Sequence, residues 1–184
     1  YASLEMRYRG PDIGSPRFAA ARLWAEMLSQ SDSRLAKALA KAMPKNSASS
    51  TPKVRYQAMR SASWFSLSTT IVIGTLANPA DAVLAFKEIV RGTEMYAMKT
   101  NPGYFSEIEY KNAKASFEEP PGHENSQLAL SFLMDSWLLG GSKGFETGIK
   151  SIRALTSKDI TSFADEYLMK NLEIVSIRLN PEDY

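Results

Sequence analysis

The residue types that do chemistry are few in this chain, and their spacing rarely suits it. The single histidine, His123, stands in a Pro-Pro-Gly-His-Glu-Asn loop beside Glu124. A metal site needs two or more well-placed ligands, and no second histidine exists, so a solvated loop histidine is the simpler reading. Carboxylates pair at Glu118-Glu119, Asp165-Glu166 and Glu182-Asp183. Adjacent side chains on a helix diverge by about 100° and do not converge on one atom. Serines are plentiful, but there is no GxSxG elbow to raise one as a nucleophile. Gly140-Gly141-Ser142-Lys143-Gly144 lacks the GxxxxGK[ST] spacing of a phosphate cradle and reads as a helix stop. Arg55, Tyr56, Arg60 and Trp64 interleave basic and aromatic residues. That suits a peptide or nucleic-acid surface, and equally the exposed face of ordinary strands. Arg22 and Glu26 lie one helical turn apart and read as a surface ion pair worth about 0.3–0.5 kcal/mol.

The elements that must position these residues follow from periodicity. In residues 3–9, Leu4, Met6 and Tyr8 alternate with Glu5, Arg7 and Arg9, which predicts a half-buried strand. A first helix is predicted to about Gln30. Ala20, Leu23, Trp24, Met27 and Leu28 form its apolar stripe, with Arg22 and Glu26 on the opposite, polar face. A second helix reaches Met43, where Pro44 ends it. Residues 44–52 are polar and serine-rich. Two alternating runs, 53–60 and 64–73, read as a hairpin. Asn78-Pro79 opens a helix, Tyr104 to Phe117 forms another, and Pro120-Pro121-Gly122 breaks the chain. Further helices cover 126–139, 145–154 and a segment opened by a Thr156/Asp159 capping box. Residues 172–179 close as a strand. This order predicts an α+β fold, a mixed, largely antiparallel sheet with helices packed on one side. No repeat or linker divides residues 1–184, which read as a single domain.

Composition sets outer limits. The 184 residues are 44% hydrophobic and 23% charged, enough for a real core. The net charge is +2 and no dense Lys/Arg run occurs, which argues against a nucleic-acid partner. Without cysteine there is no disulfide, thiol nucleophile or Cys-ligated zinc. No stretch approaches the ~18 apolar residues of a membrane span. The start on Tyr1 suggests a piece of a longer or processed polypeptide.

The ordered set is similar to the pitrilysin/insulinase family of zinc metallopeptidases, which includes the mitochondrial processing peptidase. The likeness runs through the first strand, the helix with Leu23-Trp24-Ala25-Glu26-Met27-Leu28, and Ser33-Arg34-Leu35 at the next helix. It continues in Ser106-Glu-Ile-Glu-Tyr-Lys-Asn-Ala-Lys114 and Ile152-Arg-Ala-Leu-Thr-Ser-Lys-Asp-Ile160, then the closing strand into Asn180-Pro181.

That resemblance implies a clamshell of α+β domains around a chamber for unfolded peptides. One domain carries zinc on a His-x-x-Glu-His helix. Here Arg22, Ala25 and Glu26 stand at those places, so the resemblance implies a domain without catalytic residues or metal of its own. Zinc is then expected in a catalytic domain or subunit elsewhere, the parent being a metalloendopeptidase. The family's substrate-contacting Arg and Tyr fall on Ala40 and Ser47. With a gap in the loop, Arg55 and Tyr56, or Lys53, come into range at a different spacing. The implied partners are a catalytic pitrilysin-like domain and unfolded peptide. The implied location is the bacterial periplasm, with mitochondria as the alternative. A structural scaffold of the same fold and an unrelated peptide- or nucleic-acid-binding module are the competing functional readings.

Overall fold

The structure, a computed structural model, describes residues 2–42, 53–71, 79–118 and 126–179. Its sheet is built on the alternation read above. Strand β1 (Ala2–Arg9) points Leu4, Met6 and Tyr8 into the core, all essentially inaccessible to water. It is flanked by β3 (Trp64–Ile71) and β4 (Glu173–Leu179), and among the described residues β2 (Lys53–Gln57) pairs with β3 alone. The order is β2-β3-β1-β4, and every ladder among the described residues is antiparallel. The register places Leu4 opposite Thr69 and Met6 opposite Leu67, so the buried sets of adjacent strands share one face. Gly10 follows β1 where the backbone passes close to the core rings. A Cβ there would meet the rings of Phe65 and Tyr56 at 3.0 Å.

The core lies between that inner face and the helices. Helix α1 (Phe18–Ser29) is followed by α2 (Arg34–Ala42). Helix α3 (Pro79–Lys87) runs through π-helical turns at Glu88–Met95 into α4 (Tyr96–Thr100). Then come α5 (Glu107–Ser116), α6 (Ser126–Ala154), and α7 (Ser157–Phe163), which continues through π-helical turns at Ala164–Met169. Helix α6 breaks at Gly140 and Gly141. The latter adopts φ 63° and ψ -146°, a conformation that favours glycine, and this is the helix stop expected there.

One expectation fails at α1. It is not a one-sided amphipathic helix. Ten of its twelve residues are buried, including Ala19, Arg22 and Ala25 on the side away from Trp24. The sheet covers one side, and α5, α6 and α7 pack on it as well. The short alanine side chains let those neighbours approach closely. The loop at 44–52, Ile73, the Asn78 cap and the Pro120-Pro121-Gly122 break lie outside the described residues.

Two of the family-like segments, from Ser106 and from Ile152, supply helix ends. Ser106 and Glu109 form a reciprocal capping box at α5, which therefore starts later than the Tyr104 that periodicity suggested. Lys114 donates to the carbonyls of Arg153 and Leu155, both at 2.8 Å, and so closes the C-terminus of α6. Thr156 and Asp159 form the second box. Bonds from the Thr156 side chain and backbone hold the Asp159 carboxyl below its ordinary 3.8. A carboxyl with a lowered folded pKa stabilises fully above that ordinary value and loses its contribution as pH falls through the lower one. Thr156→Ala should therefore cost about 1 kcal/mol at pH 7. In thermal melts the gap to the parent should narrow on going to pH 3.

Candidate functional site

Helix α1 and edge strand β2 face each other across a cleft of about 340 Å³, lined by Arg22, Ala25, Glu26 and Ser29 on one side and Val54 to Gln57 on the other. Five of the positions singled out from the sequence, Arg22, Ala25, Glu26, Arg55 and Tyr56, meet here although they come from separate segments. The alternation of β2 decides how they point. Val54 and Tyr56 turn toward the helices, and Lys53, Arg55 and Gln57 turn outward and are exposed. The Tyr56 ring stacks on Phe65 with centroids 4.7 Å apart. Its hydroxyl donates to the Pro11 carbonyl, and burial pushes its pKa up.

Arg22 is not the surface residue that periodicity predicts. Its side chain is only 7% exposed and pairs with Asp135 of α6. Both terminal nitrogens also donate to Ser131 at 3.3 Å. The guanidinium lies 5.7 Å from the Phe18 ring centroid and 5.8 Å from that of Tyr56, within cation–π range. Burial lowers its pKa to about 10, so it stays cationic at neutral pH. A buried cation locked in an ion pair repels a metal dication and is in no state to accept a proton. Ala25 has no group to offer, and Glu26 is half-buried on the cleft wall.

The remaining sequence candidates are used structurally or lie elsewhere. Asp165 takes Lys99 at 2.8 Å and Lys170 at 3.0 Å, while its neighbour Glu166 takes Arg17 at 3.1 Å. Glu118 is held by Arg153 at 2.8 Å. Ala40 is exposed on α2. His123, Glu119, Ser47, Glu182 and Asp183 lie outside the described residues. Among the described residues no three His, Asp or Glu side chains are grouped to hold a metal, and no helix is long and apolar enough to cross a membrane.

No family model and no curated protein matches the sequence. Solved structures do match the fold. The inactive peptidase domain of a protein from Bordetella parapertussis superposes with a TM-score of 0.66 at 17% identity, over 97% of this chain and 91% of that one. A protease from Helicobacter pylori gives 0.71 at 16% identity, over 96% of this chain but only 40% of its own. Pitrilysin gives 0.60 at 11% identity, over 96% of this chain and 18% of its own. The same architecture occurs in PqqL, a periplasmic protease of Escherichia coli, and in Complex III2 from Candida albicans. The chain thus has the α+β fold of a pitrilysin-type peptidase domain, as the sequence resemblance implies. Among such domains it shares the fold of one described as inactive.

Proposed function

We propose that this chain is a non-catalytic domain of a pitrilysin-like zinc metallopeptidase. It walls the peptide chamber, and a zinc-bearing domain elsewhere performs the cleavage. The observation that carries this reading is the α1–β2 cleft. It brings together the positions that the family resemblance assigns to zinc, and they hold a paired arginine, an alanine and a half-buried glutamate. Among the described residues β2 has no strand on its outer side, and that edge beside the cleft suits strand addition by an extended peptide. Arg55 and Tyr56 are the substrate-side residues on this reading. Leu130, Leu133, Met134, Trp137 and Leu138 form an exposed apolar row along α6 at i, i+3, i+4, i+7 and i+8. Such a row fits contact with the zinc-bearing domain, and the chain's 40% share of the Helicobacter pylori protease leaves room for one. The likeness to PqqL supports a periplasmic location.

The test pairs metal analysis with reconstitution. The dialysed chain alone should retain no stoichiometric zinc and cleave no unfolded peptide. Combined with a zinc-bearing partner encoded alongside it, it should support cleavage. Trp137→Asp should then cut the rate by about tenfold or more, as for an interface hot spot. One tightly held zinc per chain would overturn the assignment of α1. The second reading, an inactive scaffold subunit, is favoured by the likeness to Complex III2. Stable co-purification in a fixed assembly without peptide cleavage would select it.

A further inference from the structure

The net charge of +2 conceals a sided distribution. The outer face of the sheet carries Arg7 on β1, Lys53 and Arg55 on β2, and Arg178 on β4, with Glu5 as its one carboxylate among the described residues. Glu5 is already engaged by Arg7 at 3.0 Å. Lys53, Arg55 and Arg178 have no acidic partner among the described residues. Between these charges the face is lined by hydroxyls, and a shallow depression of about 350 Å³ is bounded by Ser3, Glu5, Lys53, Arg55, Ser66 and Ser68. Register aligns Arg55 with Ser66 and Arg7, a cationic row running inward from the β2 edge, and aligns Lys53 with Ser68 and Glu5, a row that ends on the carboxylate Arg7 already engages.

We infer that this edge selects extended peptides bearing Asp or Glu at alternate positions, a substrate class that rests on the proposed peptide-holding role. In a sheet, residues directly opposite on paired strands point to the same face, with Cβ atoms about 4.5–5.5 Å apart. A peptide strand added to β2 therefore sets its residues opposite Lys53 and Arg55 on the outer face, two positions apart in its own sequence. The residue between them turns inward, toward the cleft bounded by Ala25, Ser29 and Val54. Carboxylates at the two outer positions meet cations that have no acidic partner among the described residues, and lysines there meet like charge. The alternation of Lys53 and Arg55 matches the two-residue period of a strand. A polyanion would instead be tracked by its backbone phosphates, with no such period.

The experiment measures binding of fluorescein-labelled unstructured peptides to the purified chain by anisotropy. The peptides are matched in length and carry Asp-Ala-Glu, Ser-Ala-Ser or Lys-Ala-Lys at their centre. The acidic peptide should bind about three- to tenfold more tightly than the serine peptide and more tightly still than the lysine one, as two cross-strand charge pairs allow. Raising salt from about 50 mM to about 500 mM should erase the difference. Lys53→Glu/Arg55→Glu, a surface change checked for folding by circular dichroism, should reverse the order. Equal, salt-insensitive binding of all three peptides would overturn the inference and leave the peptide-holding role standing. Binding of none would remove that role itself. Tight binding of a single-stranded oligonucleotide that displaces the acidic peptide would overturn the inference in favour of a nucleic-acid surface.

Discussion

Trp24→Ala should destabilise the chain by about 3–5 kcal/mol, read as the shift in urea midpoint at unchanged slope. The indole is completely buried at the junction of sheet and helices. It meets Phe65 of β3 edge-on, with centroids 5.1 Å apart, and lies 6.0 Å from Phe163 of α7. Its Nε1–H reaches the Met98 sulfur on α4 at 3.4 Å. Truncation removes contacts to three elements at once and opens a cavity that close packing cannot collapse into. A domain of ordinary stability has roughly 5–15 kcal/mol in total, so this one residue holds a large part of it. The melting temperature should fall by roughly 10 °C or more. Trp24→Phe keeps an aromatic ring against Phe65 and should lose less than half as much. A loss below about 1 kcal/mol for Trp24→Ala, the size of an average substitution, would mean that α1 does not sit under the sheet as described.

That burial was legible in the sequence because one face of a helix writes itself as a 3.6-residue stripe. The strands were legible for the same reason, at period two. Leu4, Met6 and Tyr8 are inside where alternation placed them, and Phe65 and Leu67 of the alternating run 64–73 are buried at the same period. The Thr156 cap was legible because its chemistry is local and its residues are three apart. The second side of α1 was not. Whether an alanine is covered depends on what packs over it, and α5, α6 and α7 come from the far half of the chain. The cleft was half legible. Resemblance marked Arg22, Ala25 and Glu26, but nothing local sets them opposite Arg55 and Tyr56. That needs the pairing of β2 with β3, which places β2 at the sheet edge beside α1. The sided charge was visible in outline, since Lys53 and Arg55 share one face of a strand. It stayed hidden behind the total because cations on one face and acids elsewhere cancel in a sum.

Arg22→Ala should cost about 3 kcal/mol, several times the surface-pair value that spacing alone suggests. The sequence offers Glu26 as partner one turn away. The fold pairs Arg22 with Asp135 from the distant α6 and sets the guanidinium against the rings of Phe18 and Tyr56. Removing the guanidinium strands a carboxylate that is only 20% exposed and leaves Ser131 without its donor. The asymmetry of buried ion pairs supplies the decisive control. Breaking one by deleting a partner is expensive, while replacing both by apolar residues of similar volume is near neutral. Arg22→Met/Asp135→Leu should therefore recover most of the stability lost in Arg22→Ala, and a double-mutant cycle should show a coupling above about 1 kcal/mol. A loss under about 0.5 kcal/mol in Arg22→Ala, the range of exposed pairs, would return the residue to the surface. A stable, well-folded double variant would show that the pair is dispensable for folding. What the arginine then adds is occupancy, a fixed cation at a position where, by resemblance, a zinc ligand would otherwise stand.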